Sequence, residues 1–178
     1  NAIYWGEASY QRIMRADIFG SNVTIVRNAS DPLGGIAVDS DAGKLYWIEG
    51  GIRRADLDGS NVELLVAPAS GLGLAVAPEI GMMYWTRGNE IWRAALTGAG
   101  PMPIVTNLDG EAKGVAVNIK AGHVYWTTAN RIQRADLDGA NVVDVLTTSS
   151  AIGIALDPVG EHLYWVEASG ASSPRRVR

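Results

Sequence analysis

The chain has no cysteine, a single phenylalanine and two histidines among 178 residues. Without thiols it can form neither disulfides nor thiolate-based zinc sites. That leaves the compartment open, because a chain able to bury a large core folds without covalent staples. His123 and His162 are too few for the convergent ligands of a zinc site, and neither stands with a legible nucleophile and orienting acid. Both read as surface residues at strand starts. No apolar run approaches the about 20 residues that span a bilayer. No positively charged apolar leader opens the sequence, so a secretion signal would lie upstream in a precursor. The 15 basic residues are scattered and the net charge is −4, which excludes the basic stripe of a nucleic-acid binder. Apolar spacing of helical period is also missing, while Gly, Pro, Asn and Asp recur at roughly eight to twelve residue intervals, as between short strands.

What is present is a period. Tyr4-Trp5, Tyr46-Trp47, Tyr84-Trp85, Tyr125-Trp126 and Tyr164-Trp165 are spaced by 42, 38, 41 and 39 residues. Self-similarity at about 40 residues is the signature of units that bury their apolar faces only against one another. Each unit opens with a short apolar run, as in Gly35-Ile36-Ala37-Val38 and Gly114-Val115-Ala116-Val117. Such a run reads as an innermost strand buried on both faces, with Gly and Ala admitting a neighbouring backbone. Turns such as Asp39-Ser40-Asp41-Ala42-Gly43 and Asp157-Pro158-Val159-Gly160 lead into the Tyr-Trp strand. There the two aromatics point to opposite faces, so both faces must be covered.

A third strand holds Ile13-Met14-Arg15-Ala16, Ile52-Arg53-Arg54-Ala55, Ile91-Trp92-Arg93-Ala94 or Ile132-Gln133-Arg134-Ala135. A turn such as Asp56-Leu57-Asp58-Gly59-Ser60-Asn61 follows, and a fourth strand closes the unit, as in Asn22-Val23-Thr24-Ile25-Val26. Four antiparallel strands per period predict an all-β fold, a β-propeller of about four blades. The units run approximately 1–27, 31–66, 70–105, 110–146 and 151–178 (partial) within one domain, 1–178. Helical solenoids, β-helices and leucine-rich repeats lack support in the pattern.

These segments, in this order, resemble the LDL-receptor class B repeat, or YWTD repeat, in which a Gly-x-Ala-Val-Asp strand, a Tyr-Trp-Thr-Asp strand and an Ile-x-Arg-Ala-x-Leu-Asp-Gly-Ser-Asn segment recur. Gly20-Ser21-Asn22 and Gly59-Ser60-Asn61 match the end of the third motif. The resemblance covers nearly the whole chain and implies a six-bladed ring, an extracellular or cell-surface setting, and EGF-like modules in a longer precursor. The motif's closing Asp is absent, with Glu7, Glu49, Arg87, Thr128 and Glu167 in its place, so the family's ligand sites transfer poorly. Three complete units with partial units at each end leave terminal faces that must be covered. Three arrangements do this: a longer protein, closure between chains, or a smaller ring in which Ala151–Leu156 pairs with Tyr4-Trp5.

No catalytic constellation, metal site or cofactor is legible. Asp56, Asp58, Asp136 and Asp138 alternate as calcium ligands do, but the donors completing an EF-hand loop are absent, and turn chemistry explains them better. Arg15, Arg54, Arg93 and Arg134 recur at one strand position alongside Trp5, Trp47, Trp85, Trp126 and Trp165, which marks a structural demand. Stacking of each guanidinium on the neighbouring Trp, with a carboxylate for its donors, is the expected form. Asn22 and Asn28 begin N-glycosylation sequons. Function belongs to positions that vary between units, on the face shared by the loops joining strands two to three and four to one. Glu7, Tyr10, Glu49, Arg87, Glu90, Asp109, Glu111 and Glu167 fall there, and Trp92 is either an aromatic anchor or a packing residue. A mostly acidic face suits a basic protein segment. The sequence therefore points to a non-catalytic extracellular propeller that binds protein. Self-association into a filament or matrix is the alternative, and a propeller hydrolase or lactonase is disfavoured by inner strands of Gly, Ala, Val and Ile.

Overall fold

A computed structural model of the chain describes residues 2–157 and 162–168 and the backbone of Arg175–Val177. The turn expected at Pro158–Gly160 and the segment 169–174 lie outside the described residues. Among the described residues, five antiparallel sheets follow one another along the chain. Blade I contains β1 (Ala2–Glu7), β2 (Arg12–Asp17) and β3 (Thr24–Asn28). Blade II contains β4 (Leu33–Asp39), β5 (Lys44–Glu49), β6 (Ile52–Asp56) and β7 (Glu63–Val66). Blade III contains β8 (Leu74–Ala77), β9 (Met82–Arg87), β10 (Glu90–Ala95) and β11 (Met102–Val105). Blade IV contains β12 (Val115–Asn118), β13 (His123–Thr127), β14 (Arg131–Asp136) and β15 (Val143–Thr147). Blade V contains β16 (Ala151–Asp157), β17 (His162–Glu167) and β18 (Arg175–Val177). The fold is an all-β propeller array with three four-stranded blades between two three-stranded ones.

The repeating sequence gives a repeating register. Tyr46 faces Arg54, Tyr84 faces Arg93 and Tyr125 faces Arg134 across the second and third strands. The third and fourth strands of blades I to IV share a register shift just after the isoleucine, at Ile13, Ile52, Ile91 and Ile132. The fourth strand starts two residues later than the pattern suggests, because Asn22 and Asn141 adopt left-handed backbone, φ 55° each, and belong to the turn. Their amides donate to Asp17 Oδ2 at 3.0 Å and Asp136 Oδ2 at 2.6 Å. Asp58 and Asp138 accept from the N–H groups of Ser60 and Ala140, each at 2.9 Å. The acids of these turns thus hold local backbone.

The core lies between blades. Each inter-blade cluster takes the Tyr face of one blade and the Trp face of the next: Tyr46 with Trp85, Tyr84 with Trp126, Tyr4 with Trp47 and Tyr125 with Trp165. Trp47, Trp85 and Trp126 are fully buried. At the inner strands a Cβ on Gly35 would sit 2.4 Å from Leu74 N, and one on Gly73 2.5 Å from Lys113 O, so blade-to-blade approach there requires the bare backbone.

Two expectations are corrected. β16 pairs with β17, and β1 pairs with β2, so Ala151–Leu156 does not complete the first blade. The repeated arginines do not stack on Trp. Each lies opposite Tyr, and the strand alternation that separates Tyr from Trp carries the guanidinium to the Tyr face. Arg54 Nη1 donates to the Leu96 carbonyl at 3.2 Å and Arg93 Nη1 to the Leu137 carbonyl at 3.0 Å, in each case the turn of the following blade. The Tyr hydroxyls join them, Tyr4 reaching Leu57 O and Tyr84 reaching Leu137 O. The Glu63 carboxylate takes a further Arg54 donor, as the sequence suggested. The guanidinium of the repeated Arg15 lies 5.9 Å from the Tyr4 ring centroid, and outside this set Arg27 lies 5.8 Å from the Trp47 centroid.

Candidate functional site

The loops joining strands two to three and four to one bring together backbone that folds without regular structure because Gly, Pro and Ser dominate it: Ser30–Pro32, Gly50-Gly51, Pro68–Gly73, Gly88 and Gly110. Among them opens a cavity of about 430 Å³. Its apolar lining includes Leu33, Ile48 and Leu72, the last 56% exposed, and its carboxylates are Asp31 and Glu111. Neither acid has an ion-pair partner among the described residues. Glu111 was expected on this face. Asp31 was missed, though its place in an Asp-Pro loop between two strands was the available signal.

Most of the other expected face residues are already engaged. Glu7 pairs with Arg12, whose guanidinium lies 4.7 Å from the ring of the exposed Tyr10. Asp109 pairs with Arg131 at 3.0 Å. Glu90 accepts from the Trp92 indole at 2.7 Å, and Arg87 covers that indole at 5.0 Å. Trp92 also lies 5.9 Å from Trp85 and packs against the core between blades II and III, so it fills that interface. Glu167 accepts from the Trp165 indole at 3.3 Å. Arg12, Arg27, Arg53 and Arg131 sit among these acids, so the face is mixed in charge.

Glu49 departs furthest from the expectation of a surface acid. It is 0% exposed. Its Oε2 accepts from the Trp47 indole at 2.8 Å and its Oε1 from the Ser30 N–H at 2.8 Å and the Ser30 hydroxyl at 3.1 Å. Arg53 and Arg27 approach at 3.6 and 4.0 Å. Burial pushes this carboxyl up, but the Trp47 indole, the two Ser30 donors and the Arg53 charge outweigh it and hold it below the usual glutamate value. In a strand, residues i and i+2 share a face, so the glutamate two after the Trp is carried to its indole. Blade III has Arg87 there instead, and among the described residues Trp85 Nε1 has no hydrogen-bond partner.

Thr86 and Thr127, the third residues of their motifs, were also missed. Thr86 Oγ1 accepts from Leu72 N at 3.3 Å and Gly73 N at 3.0 Å and donates to Lys113 O at 3.1 Å. Thr127 Oγ1 accepts from Gly114 N at 2.9 Å and donates to Ile152 O at 3.4 Å. Each hydroxyl ties its own inner strand to the next one. The histidines are half-buried: His123 lies 3.6 Å from Asp136 and beside the Arg134 guanidinium, and His162 lies 3.9 Å from Asp157. No group of three or more His, Asp or Glu among the described residues is placed to hold a metal ion. Asn28 and Asn22 are both exposed, the latter with its amide held by Asp17.

No family model matches the chain. Among solved structures it is similar to a chain of a nidogen/laminin complex, with TM-score 0.85, 19% identity, and 93% of this chain and 67% of that one covered. A gluconolactonase from Xanthomonas campestris matches with TM-score 0.78, 19% identity, and 95% of this chain and 67% of that one covered. TolB from Acinetobacter baumannii matches with TM-score 0.77, 17% identity, and 98% and 48% covered. At such identities the likeness is one of fold: the chain is a β-propeller array whose relatives in shape include both a protein-binding assembly and an enzyme.

Proposed function

We propose that this chain is a non-catalytic propeller, acting outside the cell, whose loop face docks a basic, partly apolar segment of a protein partner. The observation that carries the reading is the cavity bounded by Leu33, Ile48 and Leu72 with the unpaired carboxylates of Asp31 and Glu111. Apolar lining supplies contact area, and unpaired acids orient a Lys or Arg without first breaking an internal ion pair. The nidogen/laminin likeness supports protein binding as a use of this fold. The YWTD resemblance supports the extracellular setting, possession of EGF-like neighbours and use of the sequons at Asn22 and Asn28.

Calorimetric titration with Leu-containing peptides flanked by Lys or Arg, against the same peptides flanked by Glu, tests this. Binding of the basic set, weakened about tenfold by the Asp31→Asn, Glu111→Gln double variant, is expected. Equal binding of both sets, or of neither, rules the reading out. Self-association is the second reading, favoured by Ile152 in β16 and Val166 in β17, 41% and 59% exposed. Light scattering on the whole chain separates it from partner binding. The likeness to a gluconolactonase is answered by assaying lactone hydrolysis with divalent metals supplied; turnover would replace the binding reading.

A further inference from the structure

In blades II, IV and V the indole N–H of the Tyr-Trp strand finds an acceptor at one of two positions. The residue two after Trp provides it in blades II and V, where Glu49 accepts at 2.8 Å and Glu167 at 3.3 Å. The residue opposite Trp on the third strand provides it in blade IV, where Gln133 Oε1 accepts from Trp126 at 3.1 Å. Blade III has Arg87 at the first position and Trp92 at the second, and neither side chain can accept a hydrogen bond. Trp85 is 1% exposed, and its Nε1 has no partner among the described residues. Glu90 lies opposite Arg87 across β9 and β10, but its carboxylate takes the Trp92 indole at 2.7 Å. Arg87 has no ion-pair partner among the described residues, and its guanidinium lies 5.0 Å from the Trp92 ring centroid. Residues i and i+2 share a face of a strand, so Arg87 leaves β9 on the side of Trp85. It is half-buried, next to the exposed turn Gly88-Asn89 on the loop face.

We infer that Trp85 and Arg87 form a receptor for the carboxylate of an Asp or Glu side chain of a partner polypeptide, seated as Glu49 is seated in blade II. One oxygen accepts from the Trp85 indole and the other from the Arg87 guanidinium, so two donors that lack acceptors are satisfied together. Blade II closes the same chemistry internally: the Glu49 carboxylate is 0% exposed, accepts from Trp47 and lies 3.6 Å from Arg53. That internal copy fixes the class of ligand. An amide or hydroxyl satisfies the indole but leaves the cation without a counter-charge, whereas a carboxylate meets both. Trp85 Nε1 is shielded from solvent, so the Arg87 side chain swings off the Trp92 ring as the acid enters from the loop face, giving up a weak contact at a partly exposed site. Gly88 also lines the cavity that holds Asp31 and Glu111, so a segment seated there passes beside Arg87. The inference asks for an acid where the function proposed above asks for a base, and it stands or falls apart from that function.

The probe is glutamate capped as its N-acetyl amide, whose only charge is the side-chain carboxylate. It is titrated into the whole chain at neutral pH and followed through the indole N–H resonances of isotope-labelled tryptophan, that of Trp85 assigned through its backbone. A saturable shift of the Trp85 resonance is expected, with the glutamine analogue binding about tenfold more weakly or worse. Arg87→Met should weaken binding by the same factor, and Arg87→Lys, which keeps the charge, should retain most of it. Arg87→Glu supplies the acceptor from the chain's own strand, so it should move the Trp85 resonance without any probe, abolish binding and leave the melting temperature no lower than the parent's. Four results overturn the inference: no saturable shift up to the probe's solubility limit, an equal response to the glutamine analogue, undiminished binding by folded Arg87→Met, or a shift confined to other indoles.

Discussion

Tyr84 in blade III is 1% exposed, and Tyr164 at the same motif position in blade V is 39% exposed. A Cβ on Gly73 would meet Lys113 O at 2.5 Å, while one on Gly153 would meet nothing within 4 Å. The two blades share the register of their inner and Tyr-Trp strands, and they differ in that blade IV packs on the Tyr face of blade III, whereas no blade packs on the Tyr face of blade V among the described residues. Burial in this array is therefore a property of the neighbour, and the motif encodes a surface that becomes core only when stacked.

Truncation sharpens that contrast most. Trp126→Ala empties an interface between blades III and IV where the indole is 0% exposed, and should cost about 3–5 kcal/mol in denaturant unfolding. Tyr164→Ala should cost less on the same scale, about 1–2 kcal/mol, because 39% of the residue is already exposed. Comparable losses at both sites would mean that blade V's free face is covered in solution. A smaller contrast comes from adding atoms. Gly73→Val should cost about 1–3 kcal/mol through collision with the next inner strand, and Gly153→Val should be near neutral; a cost at Gly153 would break the comparison.

Blades II and III differ again at the residue two after Trp. Glu49 satisfies the Trp47 indole, and the corresponding Trp85 nitrogen has no partner among the described residues. Because the folded-state pKa of Glu49 lies below its unfolded value of 4.5, the ionised carboxylate stabilises the fold above that pH, and the contribution is lost as pH falls through the depressed value. Glu49→Gln should therefore be less stable by about 1–3 kcal/mol at neutral pH, with the gap to the parent closing in acid. Urea unfolding from pH 7 to 3 measures it, and a gap that does not change with pH removes the charge from the explanation.

The parts of this architecture written within one repeat were legible in the sequence. The Tyr-Trp period located every second strand, Asp-Leu-Asp-Gly-Ser-Asn located the turns, and Gly-x-Ala-Val located the inner strands with their need for close approach. What escaped depends on contacts between repeats. The arginines were recognised as structural, but their acceptors are carbonyls in the following blade, and no side-chain pattern announces a carbonyl. Glu49 looked like the other acids of its face because burial by Ser30 and Arg27 of the preceding segment is set by packing. The acidic face dissolved for the same reason: Arg12 and Arg131 belong to strands rather than loops, yet they reach the loop acids Glu7 and Asp109 in space.

The Tyr4 to Leu57 and Tyr84 to Leu137 hydrogen bonds each close over 53 residues, and the Arg54 to Leu96 and Arg93 to Leu137 bonds over 42 and 44. Every such bond reaches into the next unit and stops there. A whole repeat duplicated inside the array would therefore find its acceptors and donors already in place, leaving each existing interface of the same kind as before. The architecture is thus extensible by copying. The interior imposes no preferred number of blades through these bonds.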